Sequence, residues 1–276
     1  MSADFLATMA AGSRARVAQA RRLHADAEIW RWAESSPPPP RLLLSPKGFD
    51  VIAEVKLHSP AVGRLGDSGE DIAARVASYA RAGAAAVSVL TEPERFEGSL
   101  DHLERAARAL ETAGGVPAMR KDFLVDPYQV AEARLAGAGG ILVIVRMLTR
   151  AELEALIAAA QRLSLFVLIE TFDAADIRVA RELLDAHVGG RARLLIGVNS
   201  RDLVSLQVVP GRLEELVEQL PRGAPRVAES GVATAGDAAR LARAGYDMAL
   251  IGSALMTSED PPGLLAAMLA AGRGAR

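Results

Sequence analysis

The sequence predicts an α/β protein, a (β/α)8 TIM barrel with an N-terminal helical extension. From residue 50 onward, eight short apolar segments alternate with longer segments of helical periodicity. The short segments are apolar on both faces, as are the strands of a parallel sheet that is covered by helices. Eight such units in about 225 residues match a barrel of this type, which typically has about 250 residues.

The predicted strands are rich in aliphatic and β-branched residues. They are Val51–Val55, Ala86–Leu90, Val116–Met119, Gly140–Val145, Leu165–Ile169, Leu194–Val198, Arg226–Ala228 and Met248–Ile251. The predicted helices are Asp71–Ala82, Leu100–Ala113, Pro127–Ala136, Arg150–Leu163, Ala174–Ala186, Arg212–Leu220, Ala235–Ala244 and Pro262–Ala271. Gly83, Gly137 and Gly245 follow three of these helices, which is typical of a helix C-terminus. A doubly wound sheet is the alternative, but the turn after the first strand lacks its G-x-G-x-x-G pattern.

Residues 1–49 differ from the predicted barrel domain, which spans residues 50–276. Apolar residues at helical spacing predict an amphipathic helix in this extension: Val17, Ala20, Leu23 and Ile29. The run Pro37–Pro40 excludes helix and predicts a stiff, extended connector.

The extension is predicted to pack as a cap on the barrel, and a free tail is the alternative. Both tryptophans of the chain, Trp30 and Trp32, lie in this segment, and side chains of this size are usually shielded. A cap near the C-terminal strand ends would help to close a site over its substrate. A cap elsewhere would plug or buttress the barrel.

Composition excludes several classes of protein. The 276-residue chain has a net charge of -2, so it has no basic excess for binding nucleic acid or a membrane surface. It has no cysteine, which excludes disulfides, thiolate metal sites and cysteine nucleophiles. Its apolar runs are far shorter than the roughly 20 residues of a membrane helix, and its N-terminus lacks the basic region of a signal peptide. These features predict a cytoplasmic protein.

Charged and amide side chains stand at the ends of strands that are otherwise aliphatic. In a barrel, the C-terminal strand ends form the active site. The residues are Glu54 and Lys56 on the first strand, Arg120, Lys121 and Asp122 on the third, Glu170 on the fifth, Asn199 and Arg201 on the sixth, and Glu229 and Ser230 on the seventh. Because buried charges are costly without partners, their convergence predicts a catalytic site. We expect six of these side chains to project into one cavity: Glu54, Lys56, Lys121, Glu170, Asn199 and Glu229.

The loops after the seventh and eighth strands predict a phosphate site. They read Glu229-Ser230-Gly231-Val232 and Gly252-Ser253-Ala254-Leu255. Barrels commonly bind phosphate at these two loops, with backbone N–H groups and a short helix N-terminus. Glycine lets the backbone approach the anion, and serine adds a hydroxyl donor. A phosphorylated small molecule is therefore the predicted ligand.

Together these motifs resemble the indole-3-glycerol-phosphate synthase family over nearly all of residues 50–272, and the extension resembles that of the family. The matching segments are Ile52-Ala53-Glu54-Val55-Lys56 with Ser59-Pro60, Ser88-Val89-Leu90-Thr91 with Phe96, Gly98 and Ser99, Arg120-Lys121-Asp122-Phe123 with Asp126-Pro127-Tyr128-Gln129, Glu170, Gly197-Val198-Asn199-Ser200-Arg201-Asp202-Leu203, Glu229-Ser230-Gly231, and Ile251-Gly252-Ser253-Ala254-Leu255-Met256.

The resemblance implies a carbon–carbon lyase of tryptophan biosynthesis that needs no cofactor. Its reaction converts 1-(2-carboxyphenylamino)-1-deoxyribulose 5-phosphate to indole-3-glycerol phosphate, carbon dioxide and water. By resemblance, Lys121 is the general acid for ring closure and Glu170 is the partner acid and base. Lys56 binds the substrate carboxylate and can share the acid role, so the division between the two lysines stays open. Glu54 and Asn199 orient these groups.

The resemblance also implies a set of binding residues. Substrate-binding residues are Arg201, Glu229, Ser59, Ser230 and Phe123, and phosphate-binding residues are Ser59, Gly231, Gly252 and Ser253. Arg201 lies near the anionic anthranilate end. Phe96, Phe123 and Leu142 are candidate walls for the aromatic ring, with ordinary core packing as the alternative.

The chain departs from the family pattern near the predicted site. Leu57 and His58 replace a basic residue, the loop Ser59–Gly63 lacks a serine and a lysine, and Thr171-Phe172 replaces V-H. These departures bear on turnover and substrate preference, not on the reaction class. A non-catalytic or substrate-divergent phosphate-binding barrel is the alternative function, and the retained charges of Lys121, Glu170 and Glu54 argue against a non-catalytic barrel. The isomerase one step earlier in the pathway is disfavoured, because its family uses a cysteine–aspartate pair.

No metal site and no cofactor are predicted. The histidines are scattered, without the paired spacing of metal ligands: His24, His58, His102 and His187. The chain has no phosphate loop or dinucleotide fingerprint. A monomer or a weak oligomer, with contacts to other tryptophan-pathway enzymes, is compatible with the resemblance.

Overall fold

Eight parallel strands form a closed barrel. The computed structural model describes residues 2–59, 63–65, 71–187, 189–190, 193–202 and 205–276, with side chains from residue 5 onward. The strands are β1 (Asp50–Val55), β2 (Ala86–Leu90), β3 (Ala118–Lys121), β4 (Gly140–Ile144), β5 (Phe166–Thr171), β6 (Leu194–Asn199), β7 (Arg226–Glu229) and β8 (Met248–Ile251). Each strand pairs with its neighbours in sequence, and β1 also pairs with β8. The predicted (β/α)8 barrel is confirmed.

Helices surround the barrel. They are α1 (Ser2–Leu23), α2 (Asp26–Ser35), α3 (Ile72–Arg81), α4 (Pro93–Phe96), α5 (Leu100–Thr112), α6 (Pro127–Leu135), α7 (Arg150–Arg162), α8 (Ala174–Ala186), α9 (Arg212–Val217), α10 (Ala235–Ala244), α11 (Ser253–Thr257) and α12 (Pro261–Gly274). Side-chain caps fix many of their starts: Thr149 forms a capping box with Glu152 at α7, and Asp173 caps α8. No described helix is long and apolar enough to cross a membrane.

The observed strand ends differ from the predicted ones by up to two residues. β3 runs to Lys121 and β5 to Thr171, whereas the predicted strands end at Met119 and Ile169. The reason is that the backbone ladder continues through the polar residues: Lys121 pairs with Leu90, and Glu170 with Ile144. The catalytic candidates on β3 and β5 are therefore part of the rigid sheet.

Two shells of apolar side chains hold the barrel together. The inner shell fills the barrel with residues such as Ile52, Met119 and Leu168. The outer shell packs the other faces of the strands against the helices, as with Val51 and Val87. This alternation directs every second residue of a strand inward. It also decides which polar residues at the strand ends reach the site.

The extension contains two helices, so the single helix predicted through Val17 and Ile29 is wrong. The helical conformation is interrupted at His24 and Ala25, between α1 and α2. Trp30 is partly buried under Arg162, whose guanidinium carbon lies 4.4 Å from its ring centroid. Trp32 is 37% exposed, so the expectation that a packed extension shields both tryptophans is wrong for Trp32.

The extension contacts both ends of the barrel. On α1, the Ser13 hydroxyl accepts a 2.8 Å hydrogen bond from Gln129 of α6, and α2 also packs on α6. The connector then reaches the other end, where Leu42 is buried in the same inner shell as Phe166 at the start of β5. The extension therefore combines the features of a cap near the site and a plug below it. Its separation from the barrel domain at residue 49 stays a prediction.

Candidate active site

A cavity of about 640 Å³ opens at the C-terminal ends of the strands. All of the predicted catalytic, substrate-binding and phosphate-binding residues line it: Glu54, Lys56, Ser59, Lys121, Phe123, Glu170, Asn199, Arg201, Glu229, Ser230, Gly231, Gly252 and Ser253. The structure thus brings together residues from six strands and their loops.

Four charged side chains from alternate strands form the floor of this cavity. They are Glu54 on β1, Lys121 on β3, Glu170 on β5 and Glu229 on β7. Alternate strands of a barrel normally fill one interior layer with aliphatic side chains. Here that layer is polar, and we call it the charged layer. Two glycines leave room for it: a Cβ on Gly197 of β6 would collide with Glu229, and a Cβ on Gly252, which follows β8, would collide with Glu54.

Glu54 and Lys56 form an ion pair within the cavity. Lys56 Nζ lies 2.7 Å from Glu54 Oε1, and only 3% of the Glu54 side chain is exposed. Burial alone would raise the pKa of Glu54, but the charges of Lys56 and Lys121 outweigh it and hold this pKa below its ordinary value. Glu54 is therefore ionised and keeps Lys56 in a fixed position.

Lys121 interacts with the neighbouring side chains through its charge and not through a hydrogen bond to any described side chain. Burial alone would lower its pKa, but three nearby glutamates, with Glu170 the strongest, raise the pKa above its ordinary value. Among the described side chains, none is hydrogen-bonded to its ammonium, in contrast to Lys56. The ammonium group of Lys121 is therefore a charged donor that can hydrogen-bond to a ligand.

Glu170 is oriented by the end of β6. Asn199 Nδ2 donates a 2.8 Å hydrogen bond to Glu170 Oε1, and Asn199 Oδ1 accepts one of 2.9 Å from the backbone N–H of Arg201. The Arg201 side chain donates in turn to the carbonyl of Leu206. The backbone thus fixes the amide of Asn199, which leaves Glu170 in one orientation.

Glu229 is a buried carboxyl group without a donor. It is 1% exposed, and both of its oxygens lack a hydrogen-bond partner among the described residues. Burial and the neighbouring charge of Glu170 raise the pKa of Glu229 well above its ordinary value. Glu229 therefore holds its proton to a higher pH than an ordinary carboxyl group does.

The raised pKa of Glu229 predicts a pH-dependent stability. Above its ordinary pKa the unfolded chain releases this proton and the folded chain keeps it, so stability falls with rising pH, by up to about 1.4 kcal/mol per pH unit, until the folded pKa is reached. The Glu229→Gln variant has no ionisable group at this position, so it should not show this fall in stability with rising pH. Thermal melts should therefore show the variant gaining stability over the natural protein as pH rises from 5 to 8. An equal difference at both pH values would contradict the raised pKa.

The loops after β7 and β8 have the backbone shape expected of an anion site. Ser230 and Gly231 are both left-handed, with φ of 66° and 73°. Such consecutive residues can turn backbone N–H groups toward one ligand. After β8, Gly252 precedes α11, which starts at Ser253, so the first N–H groups of this helix face the same cavity.

Aromatic rings form an apolar wall beside the charged layer. Phe123 contacts Phe5 edge-on, with ring centroids 5.9 Å apart, and lies 6.1 Å from Phe96. Phe172 adds a further lining ring, and the guanidinium carbon of Arg146 lies 4.5 Å from its centroid. The wall therefore includes two rings that the sequence analysis missed. Phe5 is far away in the sequence, and a single phenylalanine there carries no signal.

Arg120 and Asp122, which flank Lys121, do not join the charged layer. Arg120 points outward and donates to the carbonyl of Gln129. Asp122 accepts from Thr91 and also from Arg16 of α1, whose NH2 lies 2.8 Å from Asp122 Oδ1. Asp122 still contributes to the lining of the cavity, whereas Arg120 does not, and Lys121 alone of the three belongs to the charged layer. Arg120 and Asp122 instead join the extension to the strand that carries Lys121.

Some sequence-based expectations lie outside the described residues. Pro60, Ala61 and Val62 of the entry loop and Leu203 after β6 are among them. Within the described part of the chain, no group of three or more histidine and carboxylate side chains is arranged to hold a metal ion.

Known proteins resemble the chain over nearly its whole length. A family model described as "Indole-3-glycerol phosphate synthase" matches residues 6–267. The protein of that name from Mycolicibacterium smegmatis is 39% identical over 273 residues, which cover 98% of this chain and 96% of the relative. The one from Beutenbergia cavernae is 42% identical over 222 residues, which cover 80% and 77%.

Solved structures of lower identity share the barrel. A 3-hexulose-6-phosphate synthase from Salmonella typhimurium matches with a TM-score of 0.60 at 14% identity, covering 82% of this chain and 100% of its own. A thiamine phosphate pyrophosphorylase from Pyrococcus furiosus matches with a TM-score of 0.57 at 15% identity, covering 83% and 96%. At these identities the likeness shows the fold alone.

Proposed function

The chain belongs to the indole-3-glycerol phosphate synthase family, and we propose that its charged layer performs the ring closure, decarboxylation and dehydration of that family's reaction as a carbon–carbon lyase. The family places the chain among the enzymes of tryptophan biosynthesis. The observation that carries the proposal is an ammonium group, Lys121, surrounded by three glutamates at the C-terminal end of the barrel. The relatives give no support to a non-catalytic barrel.

Ring closure requires an acid at the ketone of the substrate. The aryl carbon that bears the carboxylate attacks this ketone, a carbon–carbon bond forms, and the carbonyl oxygen becomes an alkoxide. Lys121 donates a proton to this oxygen, since its ammonium is charged and has no hydrogen-bonded side chain to give up. Loss of carbon dioxide then leaves its electron pair in the ring and restores aromaticity.

Dehydration requires one proton to be delivered and one to be removed. The hydroxyl formed in the first step leaves as water after it is protonated. A base must also remove a proton from the neighbouring carbon. Glu170 removes that proton, because Asn199 holds its carboxylate in one orientation. Glu229, next to Glu170, delivers its proton to the leaving hydroxyl, and the proton that Glu170 has removed from carbon then passes to Glu229, which restores both groups.

Binding of the substrate uses the remaining groups of the cavity. Lys56 and Arg201 bind the carboxylate of the anthranilate end, and Glu54 positions Lys56 through its 2.7 Å ion pair. Phe123 contacts the aromatic ring. The phosphate lies at the other side, against Ser59, Ser230, Gly231, Gly252 and Ser253.

A like charge at the phosphate site should weaken substrate binding. Ser253→Asp places a carboxylate beside the phosphate, so KM should rise at least tenfold while the fold is kept. Ser35→Asp, at an exposed residue of α2, adds the same charge elsewhere and serves as the control. Steady-state kinetics measure both. Gly252→Asp is a poorer test, because any Cβ there would collide with Glu54. An unchanged KM in Ser253→Asp would place the phosphate elsewhere.

The N-terminal helix α1 is proposed to close the site from above. Phe5 and Leu6 line the cavity, and Arg16 joins the same helix to Asp122, next to Lys121. Arg16→Met should loosen this contact and raise KM about tenfold, because a charge-assisted hydrogen bond contributes about 1.5–3 kcal/mol. The melting temperature should fall by about 2–4 °C for each kcal/mol lost, and Arg120, which still pairs with Asp122, limits this loss.

Arg14→Met is the matched control for the role of α1. Arg14 lies on the same helix and forms a half-exposed ion pair with Glu152, away from the cavity. If the Arg14 and Arg16 variants have the same KM, α1 does not close the site, and the alternative that the extension buttresses the barrel is favoured.

Formation of indole-3-glycerol phosphate by the purified chain is the direct test of the proposed function. Fluorescence of the indole product, together with release of one carbon dioxide per turnover, should be observed with the carboxyphenylamino-deoxyribulose phosphate. Binding of this substrate without product would favour a non-catalytic barrel. We further propose a cytoplasmic monomer or weak oligomer, with residues 1–49 as a separate extension of the barrel domain.

A further inference from the structure

A second cavity, of about 820 Å³, lies at the opposite end of the barrel. Its walls come from the residues that precede three strands, including Gly139 before β4, Phe166 at the start of β5 and Arg193 before β6. The connector Pro38–Leu43 and the ends of α2 and α7 complete it. We call it the amino-terminal cavity. The catalytic groups described above all lie at the other end.

The amino-terminal cavity has a strong excess of positive charge. Four arginines line it, with Glu34 as the one carboxylate among its lining residues: Arg41, Arg134, Arg162 and Arg193. Glu34 is already paired with Arg162, at 2.5 Å. Three guanidinium groups therefore face this cavity without a carboxylate among the described residues to balance them.

Arg134 shows that this charge is built into the fold. Its side chain is on α6 and only 6% of the residue is exposed, and the hydrogen bond that it makes in the described structure is to a neutral acceptor, the carbonyl of Ser36 at 3.2 Å. Burial lowers the pKa of Arg134, and no neighbouring acid offsets this effect. A buried cation is costly without a partner. This arginine is therefore suited to an anion that enters the cavity.

Apolar side chains form much of the remaining lining of the amino-terminal cavity, together with Ser36 and Ser164. The apolar part includes Pro38, Pro39, Leu42 and Phe166. Guanidinium groups bind phosphate oxygens through paired N–H donors, and three unbalanced charges suit a dianion better than a single carboxylate. We propose that the amino-terminal cavity binds a small phosphate monoester whose apolar body packs against the prolines and Phe166.

The test uses 4-bromophenyl phosphate, which combines a phosphate dianion with an apolar ring and a bromine atom. Crystals soaked in this compound should show an anomalous bromine peak in the amino-terminal cavity. In solution, calorimetry should show a binding event that Arg193→Met or Arg134→Met weakens by about tenfold or more, the usual loss for a charge-assisted bond. Ser253→Asp, at the other end of the barrel, should leave this event unchanged.

Two controls keep the test decisive. Arg178→Met removes the same charge from the exposed face of α8 and should not alter binding. Because Arg134 is buried, the Arg134→Met variant can lose folding stability. In that case the affinity of the Arg193→Met variant, in which an exposed residue is changed, decides the test. The proposal is overturned by the lack of a bromine peak in the amino-terminal cavity. It is also overturned by binding that Ser253→Asp abolishes, or that the folded arginine variants leave intact.

Discussion

Lys121→Ala should lower kcat by about 10²–10⁴-fold, the usual contribution of a positioned acid. The ammonium delivers a proton only as the alkoxide develops, so its loss should affect the transition state more than substrate binding. KM should therefore change much less than kcat. Melting temperature should also fall, because the pKa of Lys121 is raised above its ordinary value, so its charge stabilises the folded state, and the variant leaves three buried glutamates without that charge.

Two further lysine variants decide between Lys121 and Lys56 as the acid. Lys56 is held by Glu54 at 2.7 Å and is proposed to bind a carboxylate, so Lys56→Ala should act mainly on KM. Lys47→Ala changes an exposed lysine and should leave both constants unaltered. Single-turnover measurements separate the chemical step from binding. Near-normal turnover in Lys121→Ala would show that Lys56 or another group carries the proton.

The sequence predicts the barrel and the residues of its site because both depend on local periodicity. Aliphatic runs such as the one before Glu170 mark a strand, and alternation then directs Glu54 and Lys56 to one face. The C-terminal ends of parallel strands share one rim, so residues that are far apart in the chain meet without further information. For this reason the eleven site residues that were read from the strand ends and from the two loops line one cavity in the structure. Ser59 and Phe123, which line the same cavity, were implied only by the family resemblance.

Contacts of the extension could not be predicted in this way. Arg16 is hydrogen-bonded to Asp122, which is 106 residues away in the sequence, and neither residue lies in a sequence pattern that indicates the other as its partner. The break between α1 and α2 at Ala25 lacks the usual signs, since Ala25 has no capping side chain. The exposed position of Trp32 likewise depends on which face of α2 meets α6. Such features follow from tertiary packing and not from propensity.

Gly197 is the residue whose role only the structure shows. It lies inside β6, in the run Leu-Leu-Ile-Gly-Val-Asn, where glycine weakens a strand and marks the close approach of another group. The group is Glu229: a Cβ on Gly197 would collide with its carboxyl oxygen and come within 3.1 Å of Leu168 Cδ1. The small residue on β6 therefore lets a neighbouring strand place its carboxyl group in the charged layer.

Gly197→Ala should consequently lower kcat/KM by about 10²-fold, since a displacement of about 1 Å at a catalytic group can have an effect of that size. The methyl group forces Glu229 away from Glu170, although both side chains remain present. A double-mutant cycle with Glu229→Ala tests this mechanism: once the carboxyl group is absent, Gly197→Ala should have little further effect on kcat/KM. Gly223→Ala is the control, because a Cβ there meets only Leu184 at an ordinary 3.6 Å. If the two substitutions at 197 and 229 instead multiply their effects, Gly197 acts on catalysis by a route other than the position of Glu229.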